Sequence, residues 1–153
     1  KPEQVTDPNG SVWQQQWDAR GLLVAQTSPL GHTSHYAYDG WGQLTSYTNP
    51  RGARTELRFD LLGNLVELRD ALGHATLFAH DALGNVLAKA DPLDRRTLYR
   101  YDAKGRLLGV KLPSGSTVAC AYDAEDNLVS YTDENGAVTR LDYFVGPAKF
   151  TSR

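Results

Sequence analysis

Apolar and polar residues alternate along this chain in short runs, and the alternation restarts on a fixed ruler. Thr55, Leu57 and Phe59 alternate with Arg54, Glu56 and Arg58, the period-two signature of a strand with one apolar face. The columns recur every 21 residues: the position of Leu57 holds Tyr36, Phe78, Tyr99, Cys120 and Leu141, and that of Arg58 holds Gln16, Ala37, Ala79, Arg100, Ala121 and Asp142. Runs rich in Thr, Tyr, Val and Leu, bounded by Asp, Asn, Gly and Pro, predict strands joined as hairpins. A fixed period of this length means one small unit stacked many times. The pattern predicts an all-β array of 21-residue hairpins, about 13 or 14 strands in all, forming a curved antiparallel strip.

Two turns punctuate each unit. One carries Asp18, Asp39, Asp60, Asp81, Asp102 and Asp123, each preceded by a ring: Trp17, Tyr38, Phe59, His80, Tyr101 and Tyr122. Tyr143 arrives on the same schedule, although Phe144 has replaced its aspartate. Three residues after the aspartates stand Gly21, Gly42, Gly63, Gly84 and Gly105, with Asp126 as the exception, and then the aliphatic column Leu23, Leu44, Leu65, Val86, Leu107 and Leu128. Half a period away lies a second glycine series, Gly10, Gly31, Gly52, Gly73, Gly115 and Gly136, interrupted by Asp94 and often preceded by proline. An aspartate opening a turn accepts a backbone hydrogen bond from two residues on, and glycine supplies positive φ. Asn64, Asn85 and Asn127 follow in the same turn and tolerate left-handed geometry nearly as well, so the stretch reads as a hairpin loop.

Composition narrows the field. The chain has 153 residues, 22% of them charged, 14 glycines and a net charge of −2, which gives no basic field for nucleic acid. No apolar run approaches the ~20 residues of a spanning helix, and no signal-peptide pattern heads the chain. The single cysteine, Cys120, excludes an internal disulfide and is expected to be a buried, inert thiol in the apolar column. The chain starts at Lys1 and contains no methionine, so a segment of a longer polypeptide is expected.

The aspartate column invites a chemical reading. Equivalent positions in successive hairpins are two strands, ~9–10 Å, apart, whereas a shared calcium needs its ligands within ~2.6 Å. An acid and base pair of the inverting glycosidase type fits a spacing of ~6.5–9.5 Å, but identical carboxylates offer no asymmetry to separate their pKa values. Turn capping is the expected role. His32 and His35 fall on opposite faces of a strand, and His74 and His80 have no Cys or Glu cluster beside them. Ser114 and Ser116 have no paired base, and no GxGxxG loop is present. No catalytic, cofactor or metal residue is assigned.

The stretches YDGWGQL, FDLLGNL, HDALGNV, YDAKGRL and YDAEDNL, linked by DPNG, NPRG, DALG and DENG, resemble the YD repeat of Rhs proteins over nearly the whole chain. The resemblance implies a β-strip that winds into a hollow, cocoon-like shell around a C-terminal toxin domain, as in bacterial Rhs effectors and the related insecticidal toxin complexes. Teneurins carry similar repeats. It also implies export, with type VI secretion as the route in the bacterial branch that these turns look most like, and a role in competition between bacteria. Expected partners are the rest of the shell, the enclosed toxin and secretion proteins that contact regions outside this chain. The family's aspartyl autoprotease core motif, the toxin and the delivery region are not found among these residues. The expected division is a repeat array of about seven units over residues 1–143 and an irregular segment over 144–153. The alternative is a carbohydrate- or cell-surface-binding module built on the ring columns, in which Tyr36, Tyr38, Tyr99 and Tyr101 would be exposed.

Overall fold

The computed structural model describes residues 1–143. The expected irregular stretch from Phe144 lies outside the described residues. Fourteen strands are present: β1 (Gln4–Thr6), β2 (Val12–Trp17), β3 (Leu23–Thr27), β4 (Thr33–Tyr38), β5 (Leu44–Thr48), β6 (Arg54–Phe59), β7 (Leu65–Arg69), β8 (Ala75–His80), β9 (Val86–Ala90), β10 (Arg96–Tyr101), β11 (Leu107–Lys111), β12 (Thr117–Tyr122), β13 (Leu128–Thr132) and β14 (Val138–Arg140). They form one antiparallel sheet in chain order from β1 to β14. Each strand therefore pairs only with its sequence neighbours, and the chain is a hairpin copied sideways.

The two turns of a unit differ in how the ladder meets them. Where a ring strand enters the aspartate turn, the register slips by one residue, between Gln16 and Trp17, Ala37 and Tyr38, Arg58 and Phe59, Ala79 and His80, Arg100 and Tyr101, and Ala121 and Tyr122. Each slip is a β-bulge that seats the ring opposite the aliphatic column of its own unit, as in Phe59 against Leu65 and Tyr122 against Leu128. Across the other turn the pairing runs without a shift. A bulge bends its strand and adds right-handed twist. Repeated on one side of every unit, it gives the strip a consistent curvature that periodicity alone does not specify.

Directly opposed residues of an antiparallel pair share a face. Trp13, Trp17, Tyr36, Tyr38, Leu57, Phe59, Phe78, Tyr99, Tyr101, Cys120 and Tyr122 line one face, where Tyr36 and Tyr47 stack across β4 and β5 with ring centroids 5.4 Å apart. The other face carries Gln14, Gln16, His35, Glu56, Arg58, Leu77, Leu98 and Arg100. Down its middle runs a column that spacing did not single out: Ala25, Ser46 and Glu67 are the buried residues among those described. Glu67 is 8% exposed, and its carboxylate accepts from Arg58 at 3.2 Å and also from Arg69. The expectation of a buried thiol is corrected: Cys120 is half-buried. The ring columns are likewise half-buried, with Tyr131 and Tyr143 more open still. A single layer has no second sheet to close over either face.

Candidate functional site: the turn margin

At Asp60 the loop is closed twice by backbone, Asp60 N–H donating to Asn64 O at 2.9 Å and Gly63 N–H donating to Asp60 O at 3.1 Å. The side chain then fills the loop: Oδ1 accepts the N–H of Leu62 and of Asn64, both at 2.9 Å, and Oδ2 accepts Asn64 Nδ2 at 3.0 Å. Asp18, Asp39, Asp81 and Asp102 take the same two backbone donors at 2.8–3.0 Å. Asp123 accepts Asn127 N–H at 2.8 Å. Gly21, Gly42, Gly63, Gly84 and Gly105 all hold φ between +78° and +90°, where a Cβ would meet the neighbouring carbonyl. Asp94 and Asp126 occupy the same conformation, at φ 57° and 68°, tolerated because a short polar side chain bonds locally.

The second turn series is built alike on a different residue set. Asp7, Asp70, Asp91 and Asp133 cap it, Asn49 Oδ1 accepts Arg51 and Ala53 N–H at 2.9 and 3.0 Å, and Ser28 Oγ accepts His32 N–H. Asn49 shows that this geometry needs an oxygen and not a charge. The asparagines that follow the glycines do not use the left-handed geometry that they tolerate. Asn64, Asn85 and Asn127 are absent from the positive-φ residues, and each donates Nδ2 to the aspartate Oδ2 of its own turn at 2.9–3.0 Å.

That same position also links units. Counting back by the repeat, Lys1, Gln43 and Arg106 stand where the asparagines do, and each reaches the next turn: Lys1 Nζ donates to Gly21 O, Gln43 Nε2 to Gly63 O at 3.4 Å, and Arg106 Nη1 to Asp123 O at 3.3 Å and to the Asp126 carboxylate. Lys104 Nζ joins Asp126 at 2.6 Å. Asp126 thus exchanges glycine's freedom for a pair of cations from the preceding unit.

The rings beside the turns carry a second link. Tyr38 OH donates to Leu23 O at 2.9 Å, Tyr122 OH to Leu107 O at 3.0 Å and Tyr143 OH to Leu128 O at 3.0 Å, always 15 residues back. Trp17 Nε1 makes the equivalent bond to Pro2 O at 2.8 Å. Phe59 lacks the donor, His80 leaves its buried Nδ1 without a partner, and Tyr101 makes no such bond. Sequence periodicity marked the rings but not their polar ends; the signal was the column's preference for tyrosine over phenylalanine.

The electrostatics follow from these bonds. The Asn64, Asn85 and Asn127 side chains, with backbone donors behind them, hold Asp60, Asp81 and Asp123 below the usual carboxylate range. Backbone N–H groups of Leu22 and Arg106 lead in lowering Asp18 and Asp102. At Asp70 and Asp91 desolvation pushes upward and is outweighed by the donors of His74 and Arg95. Such carboxylates are ionised and fully engaged as acceptors, a state opposite to the raised pKa of a general acid. No group of three metal-ligating side chains gathers among the described residues.

Four stretches of the chain, residues 3–33, 17–55, 38–76 and 80–117, match the RHS Repeat family. The chain belongs to the RHS repeat family. No curated protein sequence matches it. Among solved structures it is similar to a Photorhabdus luminescens Tc holotoxin pore carrying a TccC3 mutation, at 18% identity over 80% of this chain and 9% of that one, with a TM-score of 0.46. A TcdB2–TccC3 structure without its hypervariable C-terminal region is similar at 17% identity over 85% of this chain and 10% of that one, with a TM-score of 0.48. The RHS array described here thus spans 9% and 10% of the length of those two chains.

Proposed function

We propose that this RHS array is a non-catalytic wall segment of an exported toxin shell, which encloses a toxic cargo carried by the same polypeptide. The observation that carries the reading is the sheet itself: among the described residues, fourteen strands in chain order with no layer that covers either face. An element that leaves both faces half-open is built to be part of a larger surface. In this reading the Asp18, Asp39, Asp60, Asp81, Asp102 and Asp123 turns are structural caps, the glycines beside them permit the loops, and Trp17, Tyr38, Phe59, Tyr101, Tyr122 and Tyr143 form the ring column, of which Trp17, Tyr38, Tyr122 and Tyr143 bond to the unit before. The mechanism is exclusion. A continuous ladder leaves no unpaired strand edge between β2 and β13, so the wall offers a protease or solvent no gap except over its ends. Residues 1–143 are the array in this reading.

The test is protection. In the polypeptide that carries this array, the cargo should resist protease while the array is intact and become cleavable when one 21-residue unit, such as residues 60–80, is deleted. Equal cleavage of both forms sinks the shell reading. Glycan binding by the ring face, abolished by Tyr36→Ala and Tyr99→Ala, would favour an adhesion module instead.

A further inference from the structure

The charge on the strands is not evenly spread. In β6 and β7 the arginines are matched: Arg54 pairs with Glu56 at 3.1 Å, and Arg58 and Arg69 both hold Glu67. From β9 to β12 the strands contain Lys89, Arg96, Arg100 and Lys111 and not one carboxylate. Among these only Arg96 is ion-paired, with Asp94 at 3.1 Å. The turn carboxylates nearby are already engaged, Asp91 by Arg95, Asp102 by Arg106, and Asp126 by Lys104 and Arg106. Arg100 and Lys111 therefore stand without an acidic partner among the described residues.

Those two cations flank apolar surface. On the face away from the rings, Leu98 lies opposite Lys111 and Arg100 lies opposite Gly109. Ala88 and Ala119 complete the surroundings on the two adjoining strands, Ala88 opposite Leu98 and Ala119 opposite Gly109. In earlier units the position of Leu98 holds Gln14, His35, Glu56 and then Leu77, so the face turns from polar to apolar along the strip. Gly109 continues the column of Ala25, Ser46 and Glu67 with no side chain at all.

Leu98 remains 44% exposed, so this face is open. A small-molecule site buries ~70–90% of its ligand, which so open a surface cannot do. An apolar centre with arginine at its border is instead the anatomy of a polypeptide interface. We infer that the β9–β12 face is a docking surface for an acidic, apolar segment of polypeptide, whose apolar side chain sits on Leu98 and Gly109 and whose carboxylates meet Arg100 and Lys111. Residues two apart on an extended segment project to the same side ~6.6–6.8 Å apart. A segment placing a carboxylate and a leucine on one side therefore satisfies the cations and the apolar floor together. The inference does not depend on the shell reading, because it concerns binding by the chain itself.

The test uses the full chain and two labelled peptides read by fluorescence polarisation, one rich in glutamate and leucine, the other with lysine in place of glutamate. The glutamate peptide should bind and weaken steeply with salt, and the lysine peptide should not bind. Arg100→Glu combined with Lys111→Glu should weaken binding at least tenfold, and Leu98→Ser several-fold, while Arg51→Glu at a distant turn tip leaves it unchanged. Equal binding of the two peptides, or binding untouched by the double charge reversal, overturns the inference. The second result would show addition of the peptide to the open edges at β1 or β14. Circular dichroism of each variant confirms that exposed substitutions have left the sheet intact.

Discussion

Adding one oxygen atom at Phe59 should stabilise the array. Tyr38, Tyr122 and Tyr143 each donate to a carbonyl 15 residues back, at 2.9–3.0 Å, and Phe59 occupies the same place without the donor. Phe59→Tyr directs a hydroxyl at Leu44 O, which is the equivalent carbonyl. A net intramolecular hydrogen bond contributes about 0.5–1.5 kcal/mol, and the partly buried setting of the Tyr38 bond places the gain near the lower half of that range. For a chain of this size each kcal/mol moves Tm by ~2–4 °C, so a rise of roughly 1–3 °C is expected. Tyr38→Phe should fall by a similar amount. Tyr101→Phe is the internal control: its hydroxyl makes no such bond and burial raises its pKa, so deletion should be neutral or slightly stabilising. Thermal and urea unfolding by circular dichroism give the three values, and the exchange rate of amides around Leu44 locates the effect. A repeat array approximates a sum of units and neighbour terms, so the local readout guards against partial unfolding being mistaken for a global shift. The reasoning fails if Phe59→Tyr is destabilising, or if Tyr38→Phe and Tyr101→Phe cost the same.

Stability should be flat around neutral pH and decline in acid. The turn carboxylates have folded pKa values below their unfolded ones, so their contribution is complete above the unfolded value of ~3.9 and is lost as pH falls through the folded values; a pH series of urea midpoints that falls from pH 7 toward 5 would contradict this. Asp60→Asn should keep the cap at neutral pH, as Asn49 does, and flatten the acid decline, whereas Asp60→Ala should lose the cap at every pH. Gly73→Ala should cost ~1–2 kcal/mol from positive φ alone, because nothing lies within 4 Å of the added Cβ, and Gly73→Asn should cost less; equal urea midpoints for both variants and the parent would refute the conformational argument. Gly109→Ala should be damaging for a different reason, its Cβ arriving 2.8 Å from the backbone oxygen of Val118, with overpacking costs of ~1–3 kcal/mol and faster exchange along β11 and β12.

Much of the margin was legible in the sequence. A ring, an aspartate, a glycine and an aliphatic residue in fixed order specify a strand, a loop and the return strand, because each has a local conformational reason to be there. The bonds of the asparagines were not legible in this way: Asn64 tolerates left-handed geometry, but here Gly63 takes that conformation and leaves the amide free to bond Asp60. Links between units were hidden, since Arg106 to Asp126 and Tyr122 to Leu107 join residues that touch only once neighbouring hairpins stand side by side.

Period-two alternation and turn chemistry act within a few residues, so the repeat, the all-β class, an approximate strand count and the sites of the turns were legible in the chain alone. Only the tertiary structure decided the rest. It placed a bulge where each ring strand enters its turn, which curves the strip, and it left Cys120 and the rings half-buried because one sheet has no second layer. It also set Arg100 and Lys111 beside Leu98 and Gly109. Register brings these four residues of β10 and β11 together, and a shift of one residue would send them to opposite faces.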